Sequence, residues 1–310
     1  MSKATLYEKS VAGRSGIDLP SLDIPETELP EELVCTDNGL PELSQLDVAR
    51  HYLNLSQRNY GVDSGFYPLG SCTMKYNPKV NEAVARLPGF AQLHPMLPAS
   101  AAQGSLAVIY KLQECLKEIG GFAQVSFQPT AGAHGELTGL LMMRAYHADR
   151  DDEARTQVLI PDSAHGTNPA STTMAGFSVI EIPTDDRGNI DLGALKAACA
   201  PNVAGLMLTN PNTLGLFEEQ IEQVTELVHE CGGLVYGDGA NMNALTGIAR
   251  PADFGIDIMH FNLHKTFATP HGGGGPGSGP VGASKDLAPY LPGPLASRKQ
   301  PETTGNTTFD

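Results

Sequence analysis

Five short stretches carry residue types able to do chemistry, and each follows an apolar run. After Phe127 comes Pro129-Thr130-Ala131-Gly132-Ala133-His134-Gly135-Glu136, a turn of small residues that opens a helix. Exposed N–H groups and the helix dipole make such a turn a cradle for an anion, and a plain helix cap fits the same residues. After Ile160 comes Asp162-Ser163-Ala164-His165-Gly166-Thr167-Asn168. His165 can stack on an aromatic ring there, or serve as an ordinary structural histidine. Thr209-Asn210-Pro211 follows Leu208; Asn210 can donate to a ring hydroxyl or simply shape a turn. Gly237-Asp238-Gly239-Ala240-Asn241 follows Tyr236. An ionised Asp238 can hold a ring nitrogen protonated and so turn that ring into an electron sink; a solvated turn aspartate or a metal ligand are the plainer readings. Finally, Phe261-Asn262-Leu263-His264-Lys265-Thr266-Phe267 sets Lys265 among apolar residues. Loss of hydration there favours a neutral, nucleophilic amine, against the general rule that lysines lie at the surface.

The elements that must position these residues are read from periodicity. Helical apolar spacing predicts helices over Ser44–Arg58, Gly104–Ile119, Gly135–His147 and Glu218–Cys231, the last closed by Gly232-Gly233, where a left-handed cap suits glycine. Short apolar runs predict strands at Val125–Gln128, Val158–Ile160, Ser178–Ile182, Gly205–Thr209, Leu234–Tyr236 and Ile258–Phe261. Strand and helix in alternation make an α/β chain with a mostly parallel sheet covered on both faces, and such a sheet binds ligands at the carboxyl ends of its strands. Three divisions are expected: an arm, a helix and an active-site loop over 1–95, a large domain over 96–290, and a polar tail over 291–310. The loop Gly65 to Lys75 has glycine and proline at both ends of a polar centre and is expected to face a ligand.

Composition excludes several classes of partner. The formal net charge is −15, and Asp18 to Asp47 holds no Lys or Arg, so polyphosphate is repelled and a nucleic-acid role is not expected. No run reaches the roughly 18 apolar residues of a membrane span, and a cytoplasmic protein is expected. The five cysteines, Cys35, Cys72, Cys115, Cys199 and Cys231, form no CxxC pair. Cys115 and Cys231 read as packing residues in helices; Cys72 reads as a loop residue, with redox control as its alternative. The histidines form neither HExxH nor another ligand cluster, so no metal is expected.

Phosphate turn, stacking histidine, ring-nitrogen aspartate and lysine, in that order at strand ends, make the chain resemble the fold-type I pyridoxal-phosphate enzymes. Three stretches narrow the resemblance: Tyr67-Pro68-Leu69-Gly70-Ser71-Cys72-Thr73-Met74-Lys75-Tyr76-Asn77-Pro78, Asp238-Gly239-Ala240-Asn241-Met242-Asn243-Ala244, and His260 through Gly279. These are similar to the P-protein family of the glycine cleavage system, specifically its subunit 2 form, over about Leu40 to Pro294. The resemblance implies pyridoxal 5'-phosphate joined to Lys265, with His165 against the ring, Asp238 at the ring nitrogen, and Thr130, Gly132 and Ala133 at the phosphate; Asn210 and His264 complete the expected cofactor contacts. It further implies decarboxylation of glycine, transfer of the aminomethyl group to the lipoyl group of H-protein, and a partner subunit 1. Chains of that family continue into a C-terminal domain, so this chain is expected to lack it, and with it the arginine that holds the substrate carboxylate.

Other readings share some of these residues. An aminotransferase, a serine hydroxymethyltransferase or a cysteine desulfurase would keep Asp238 and Lys265. A truncated, non-catalytic subunit would bind its partner through the N-terminal arm. A serine hydrolase could use His271-Gly272-Gly273-Gly274 as an oxyanion loop, but Pro276 and Pro280 flank Ser278 where a nucleophile elbow needs glycines.

Overall fold

The computed structural model describes residues 4–25, 27–35, 38–65, 67–69, 72–270, 277–299 and 307–310, with the backbone alone for 67–69, 72 and 73. The Cys72 side chain and the run from His271 to Gly275 lie outside this description. The chain forms two compact units, residues 1–67 and 68–310.

In the first unit, helix α1 spans Gln45–Ser56, inside the expected range. Ser44 caps it by accepting from the Asp47 N–H at 3.2 Å, and Asp47 lies in the first turn, where a carboxylate meets the positive end of the dipole. The preceding arm is tied to this helix start: the Val11 N–H donates to the Glu42 carbonyl at 3.0 Å, and Arg14 pairs with Asp47 at 3.1 Å.

The rest of the chain runs β1 (Tyr67–Leu69), β2 (Cys72–Met74), α2 (Lys79–Ala85), α3 (Pro88–Ala91), α4 (Gln103–Gly120), β3 (Gln124–Ser126), α5 (Gly132–Ala148), β4 (Gln157–Pro161), α6 (Thr167–Met174), β5 (Ser178–Ile182), α7 (Leu192–Ala198), β6 (Val203–Thr209), α8 (Ile221–Glu230), β7 (Leu234–Gly239), β8 (Ile258–Phe261), β9 (Val281–Ala283), β10 (Arg298–Lys299) and β11 (Thr308–Phe309). Seven of these strands form one sheet in the order β3-β9-β8-β7-β6-β4-β5. Strands β8, β7, β6, β4 and β5 are parallel, and β9 runs antiparallel to both its neighbours. The α/β class with a mostly parallel sheet is therefore what the chain adopts.

Because side chains alternate across a strand, each central strand feeds two cores. Leu159, Leu206, Val235 and Met259 pack on one face with residues of α4, α7 and α8. Val158, Ile160, Met207, Tyr236 and Ile258 pack on the other with Leu140, Met142 and Met143 of α5. Helix α8 ends as its glycines predict, with Gly232 at φ 82° and the Gly233 N–H closing on the Val228 carbonyl at 2.9 Å. Described residues of the stretch expected as a polar tail pack within the second unit: Ser126 Oγ donates to the Pro292 carbonyl at 2.7 Å, Gln128 Nε2 to the Pro294 carbonyl at 2.7 Å, and β10 pairs with β11. Cys115, expected in the packing, is exposed, because α4 turns Gln113 and Leu116 inward instead. No described helix is long and apolar enough to cross a membrane.

Candidate active site

Parallel strands bring their carboxyl ends to one edge, and the polar residues that follow them gather there. The register sets Thr209 beside Asp238 and Asp238 beside His260, while the His165 N–H reaches Thr209 Oγ1 at 3.0 Å. A cleft of about 290 Å³ is lined by His165, Thr209, Asn210, Asp238, Asn241 and Lys265, among others. Lys265 is only 8 % exposed; it sits on a turn closed by its own N–H on the Asn262 carbonyl at 3.0 Å. Four expected site residues, His165, Asn210, Asp238 and Lys265, thus share one cavity.

Asp238 is 6 % exposed, and both its oxygens are engaged. The Ala240 N–H donates to Oδ1 at 3.0 Å and Asn168 Nδ2 to Oδ2 at 3.1 Å, with His260 Nε2 3.5 Å from Oδ1. Burial pushes this carboxyl upward, but the His260 ring and these donors outweigh it and hold Asp238 below its ordinary value. Burial in turn pushes the His260 imidazole down, against the pull of Asp238 and Glu136. Burial also lifts the Tyr236 phenol well above its ordinary value. A neutral His260 accepts from the Tyr236 hydroxyl at Nδ1, 2.6 Å away, and turns Nε2–H toward Asp238. The result is a fixed negative charge in the wall of the cleft.

The expected anion turn lies at the start of α5, where Ala131 has no side-chain oxygen to cap the helix and the first-turn N–H groups lack helical partners. The backbone there is packed too tightly for side chains: a Cβ on Gly132 would meet Asn262 Oδ1 at 2.4 Å, and one on Gly279 would meet the Ala131 carbonyl at 1.9 Å. Thr130 Oγ1 lies 2.9 Å from His134 Nδ1, and Ala133 is exposed. His264 is placed differently from the cleft residues. Its ring packs under Gly277, its Nδ1 accepts from the Ser278 N–H at 3.2 Å, and its carbonyl accepts from Lys75 Nζ, which also donates to the Thr269 carbonyl at 2.9 Å.

The residues that sequence reasoning missed are Glu136, Thr167, Asn168, Tyr236 and His260, which stand behind the cleft in one hydrogen-bonded set. A signal for Glu136 was present. Gly132, Gly135, Glu136 and Gly139 recur at helical spacing, so one stripe of α5 is nearly free of side chains and must be packed closely. The single carboxylate on that stripe is then forced inside.

The comparisons with known proteins decide the family. The sequence profile described as glycine cleavage system P-protein matches residues 19–309. The chain belongs to the glycine cleavage system P-protein family. It is 55 % identical over 302 residues to the probable glycine dehydrogenase (decarboxylating) subunit 2 of Alkaliphilus oremlandii, covering 96 % of this chain and 62 % of that one. The protein of the same description from Caldanaerobacter subterraneus is 58 % identical over 299 residues, covering 95 % and 62 %. The chain therefore spans a little under two thirds of the length of these relatives. Among solved structures, an inhibitor-bound glycine decarboxylase (P-protein) of the glycine cleavage system superposes with a TM-score of 0.69 at 24 % identity, covering 91 % of this chain and 62 % of that one. An aromatic aminotransferase from Pyrococcus horikoshii superposes at 0.52 and 19 % identity, covering 70 % and 59 %. At such identities these two establish the fold alone.

Members of the P-protein family use pyridoxal 5'-phosphate, and the cleft has the donor set such a group needs. The test is Asn210. It is buried, its Oδ1 accepts from the Glu218 N–H at 3.1 Å, and its Nδ2 has no hydrogen-bond partner. A buried amide donor left unpaired costs of order 1–3 kcal/mol, and a ligand oxygen in the cleft would satisfy it. Among the described residues, no cluster of His, Cys, Asp or Glu could hold a metal ion.

Proposed function

We propose that this chain holds pyridoxal 5'-phosphate through Lys265, decarboxylates glycine and passes the remaining aminomethyl group to the lipoyl group of H-protein. The relatives' description as glycine dehydrogenase (decarboxylating) subunit 2 supports both this reaction and assembly with a subunit 1. When bound, the cofactor supplies an aldehyde that captures an amine and a protonated ring that takes up the electron pair left by carbon dioxide. Lys265 would provide the amine that holds the aldehyde and that glycine would displace. Asp238, ionised and fixed by Asn168 and Ala240, keeps a proton on the ring nitrogen. His165 would lie against the ring face, Asn210 would donate Nδ2 to the ring hydroxyl, and Thr130, Gly132 and Ala133 would hold the phosphate. His264 acts one step back by fixing the turn that carries Lys265. Water has to be kept from the reacting carbon, since a proton from solvent would quench it before the disulfide of the lipoyl group arrived. The reaction belongs in the cytoplasm, where thiols such as those of Cys115, Cys199 and Cys231 stay reduced.

The observation that carries this reading is a buried, ionised Asp238 in the same cavity as Lys265, lined also by Asn210, whose amide nitrogen has no partner. Borohydride reduction of the cofactor-loaded chain followed by peptide mapping is expected to mark Lys265, and Lys265→Ala is expected to abolish the label. Exchange of carbon dioxide with the glycine carboxyl, measured with subunit 1 and lipoylated H-protein present, tests the reaction. Label on a different lysine would sink the assignment. So would turnover supported by an α-keto acid and not by glycine.

A further inference from the structure

Glu136 is 3 % exposed and has no place in the mechanism above, yet each of its oxygens is committed. Oε1 accepts from Asn168 Nδ2 at 2.8 Å, and Oε2 accepts from Thr167 Oγ1 at 2.9 Å. The Asn168 amide is fixed by this arrangement: its two N–H groups serve two carboxylates, Glu136 and Asp238, and its Oδ1 accepts from Thr209 Oγ1 at 3.3 Å. Flipping it would set a carbonyl against both carboxylates.

Thr167 extends the argument to His165. A hydroxyl has one proton and spare lone pairs. With that proton given to Glu136, Thr167 Oγ1 can only accept from His165 Nδ1, which lies 2.7 Å away. The Thr167 backbone N–H also points at Nδ1, but from 3.3 Å, so the shorter contact sets the polarity. We propose that Glu136 is a positioning residue that holds the His165 imidazole with its proton on Nδ1 and, through Asn168, holds the Asp238 carboxylate in the cleft wall. One buried carboxylate thereby orients both groups that flank the ring. The neutral tautomer so selected leaves Nε2 with the lone pair, able to take the proton from an incoming ammonium. That last role rests on the function proposed above; the tautomer does not.

The difference between a carboxylate and an amide supplies the test. In Glu136→Gln the side-chain oxygen keeps Asn168, while its NH2 donates to Thr167 Oγ1 and frees the hydroxyl proton for His165 Nδ1. The imidazole proton then belongs on Nε2. Nitrogen-15 NMR of the histidine-labelled full chain loaded with pyridoxal phosphate, with His165 assigned by its loss in His165→Gln, reads this directly. The wild type is expected to show Nδ1 protonated and Glu136→Gln the two nitrogens exchanged. A wild-type ring with a bare Nδ1, or a Glu136→Gln spectrum identical to wild type, overturns the proposal. If Glu136→Gln does not fold, Thr167→Val and Thr167→Ser serve. The valine variant is expected to lose the Nδ1–H signature and the serine variant to keep it, whereas an unchanged valine spectrum overturns the proposal. Borohydride labelling of Lys265 in the same samples tests the functional reading separately.

Discussion

Asp238 shows how little a residue's type says and how much its surroundings add. An aspartate between two glycines reads from sequence as a turn residue or a ligand with equal ease. In the fold, the Ala240 N–H, the Asn168 amide and the His260 ring overcome the cost of burial and keep it charged. Asp238→Asn removes the charge that would face a protonated ring nitrogen while keeping the side-chain volume. A hydrogen bond to a charged partner contributes about 1.5–3 kcal/mol, so affinity for pyridoxal phosphate is expected to fall roughly 10- to 100-fold, as read by absorbance titration. Undiminished affinity would remove Asp238 from the ring nitrogen. Asn210→Ala is expected to weaken the same binding by a smaller factor, because it deletes a neutral donor.

Among the elements, α5 bears most directly on the site, since it carries the anion turn at its start and Glu136 one turn further on. Gly139 lets it lie close over β7: a Cβ there would fall 2.2 Å from the Tyr236 ring, the residue whose hydroxyl orients His260. Gly139→Ala therefore overpacks a buried contact and is expected to cost about 1–3 kcal/mol in urea unfolding, although alanine favours helix more than glycine does. A stabilised variant would show that this packing is looser than described. Strand β8 is legible from its apolar run, with the expected and observed bounds identical at Ile258–Phe261. Helix α5 begins three residues before the expected Gly135, because Gly132 enters the helix under the tertiary contact with Asn262. Helix α6 was not legible, since Thr167-Asn168-Pro169 and three further Ser or Thr residues are weak helix formers. It is helical because Asn168, Ser171 and Thr172 are buried against the sheet side of the fold.

At the scale of the molecule, two histidines away from the cleft make stability depend on pH in opposite senses. Burial pushes His147 below its ordinary value of 6.5, against the pull of its contact with the Ala204 carbonyl. As pH falls through 6.5 the unfolded chain takes up that proton first, so stability is whole above 6.5 and declines below it. The hydrogen bond with Asp257 raises His229 instead; its contribution is whole below 6.5 and is lost as pH rises through the folded value. The Tm of the cofactor-free chain is therefore expected to fall less steeply between pH 6.5 and 5 in His147→Gln than in the wild type, and to lose less as pH rises from 6.5 to about 8 in His229→Gln than in the wild type. Equal slopes in all three would show that neither histidine is linked to unfolding.

Sequence by itself determined the α/β class, the strand-end placement of His165, Asn210, Asp238 and Lys265, and the family, because strand periodicity and the residues just after each strand are local features. The pairing of β9 antiparallel between β3 and β8 was decided only in three dimensions, since three residues, Val281 to Ala283, have no period of their own. The set behind the cleft was decided there as well. Glu136, Asn168, Asp238 and His260 lie far apart along the chain, and their hydrogen bonds, with the shifted proton affinities of Asp238 and His260, arise only when the sheet and the glycine stripe of α5 bury them together away from water.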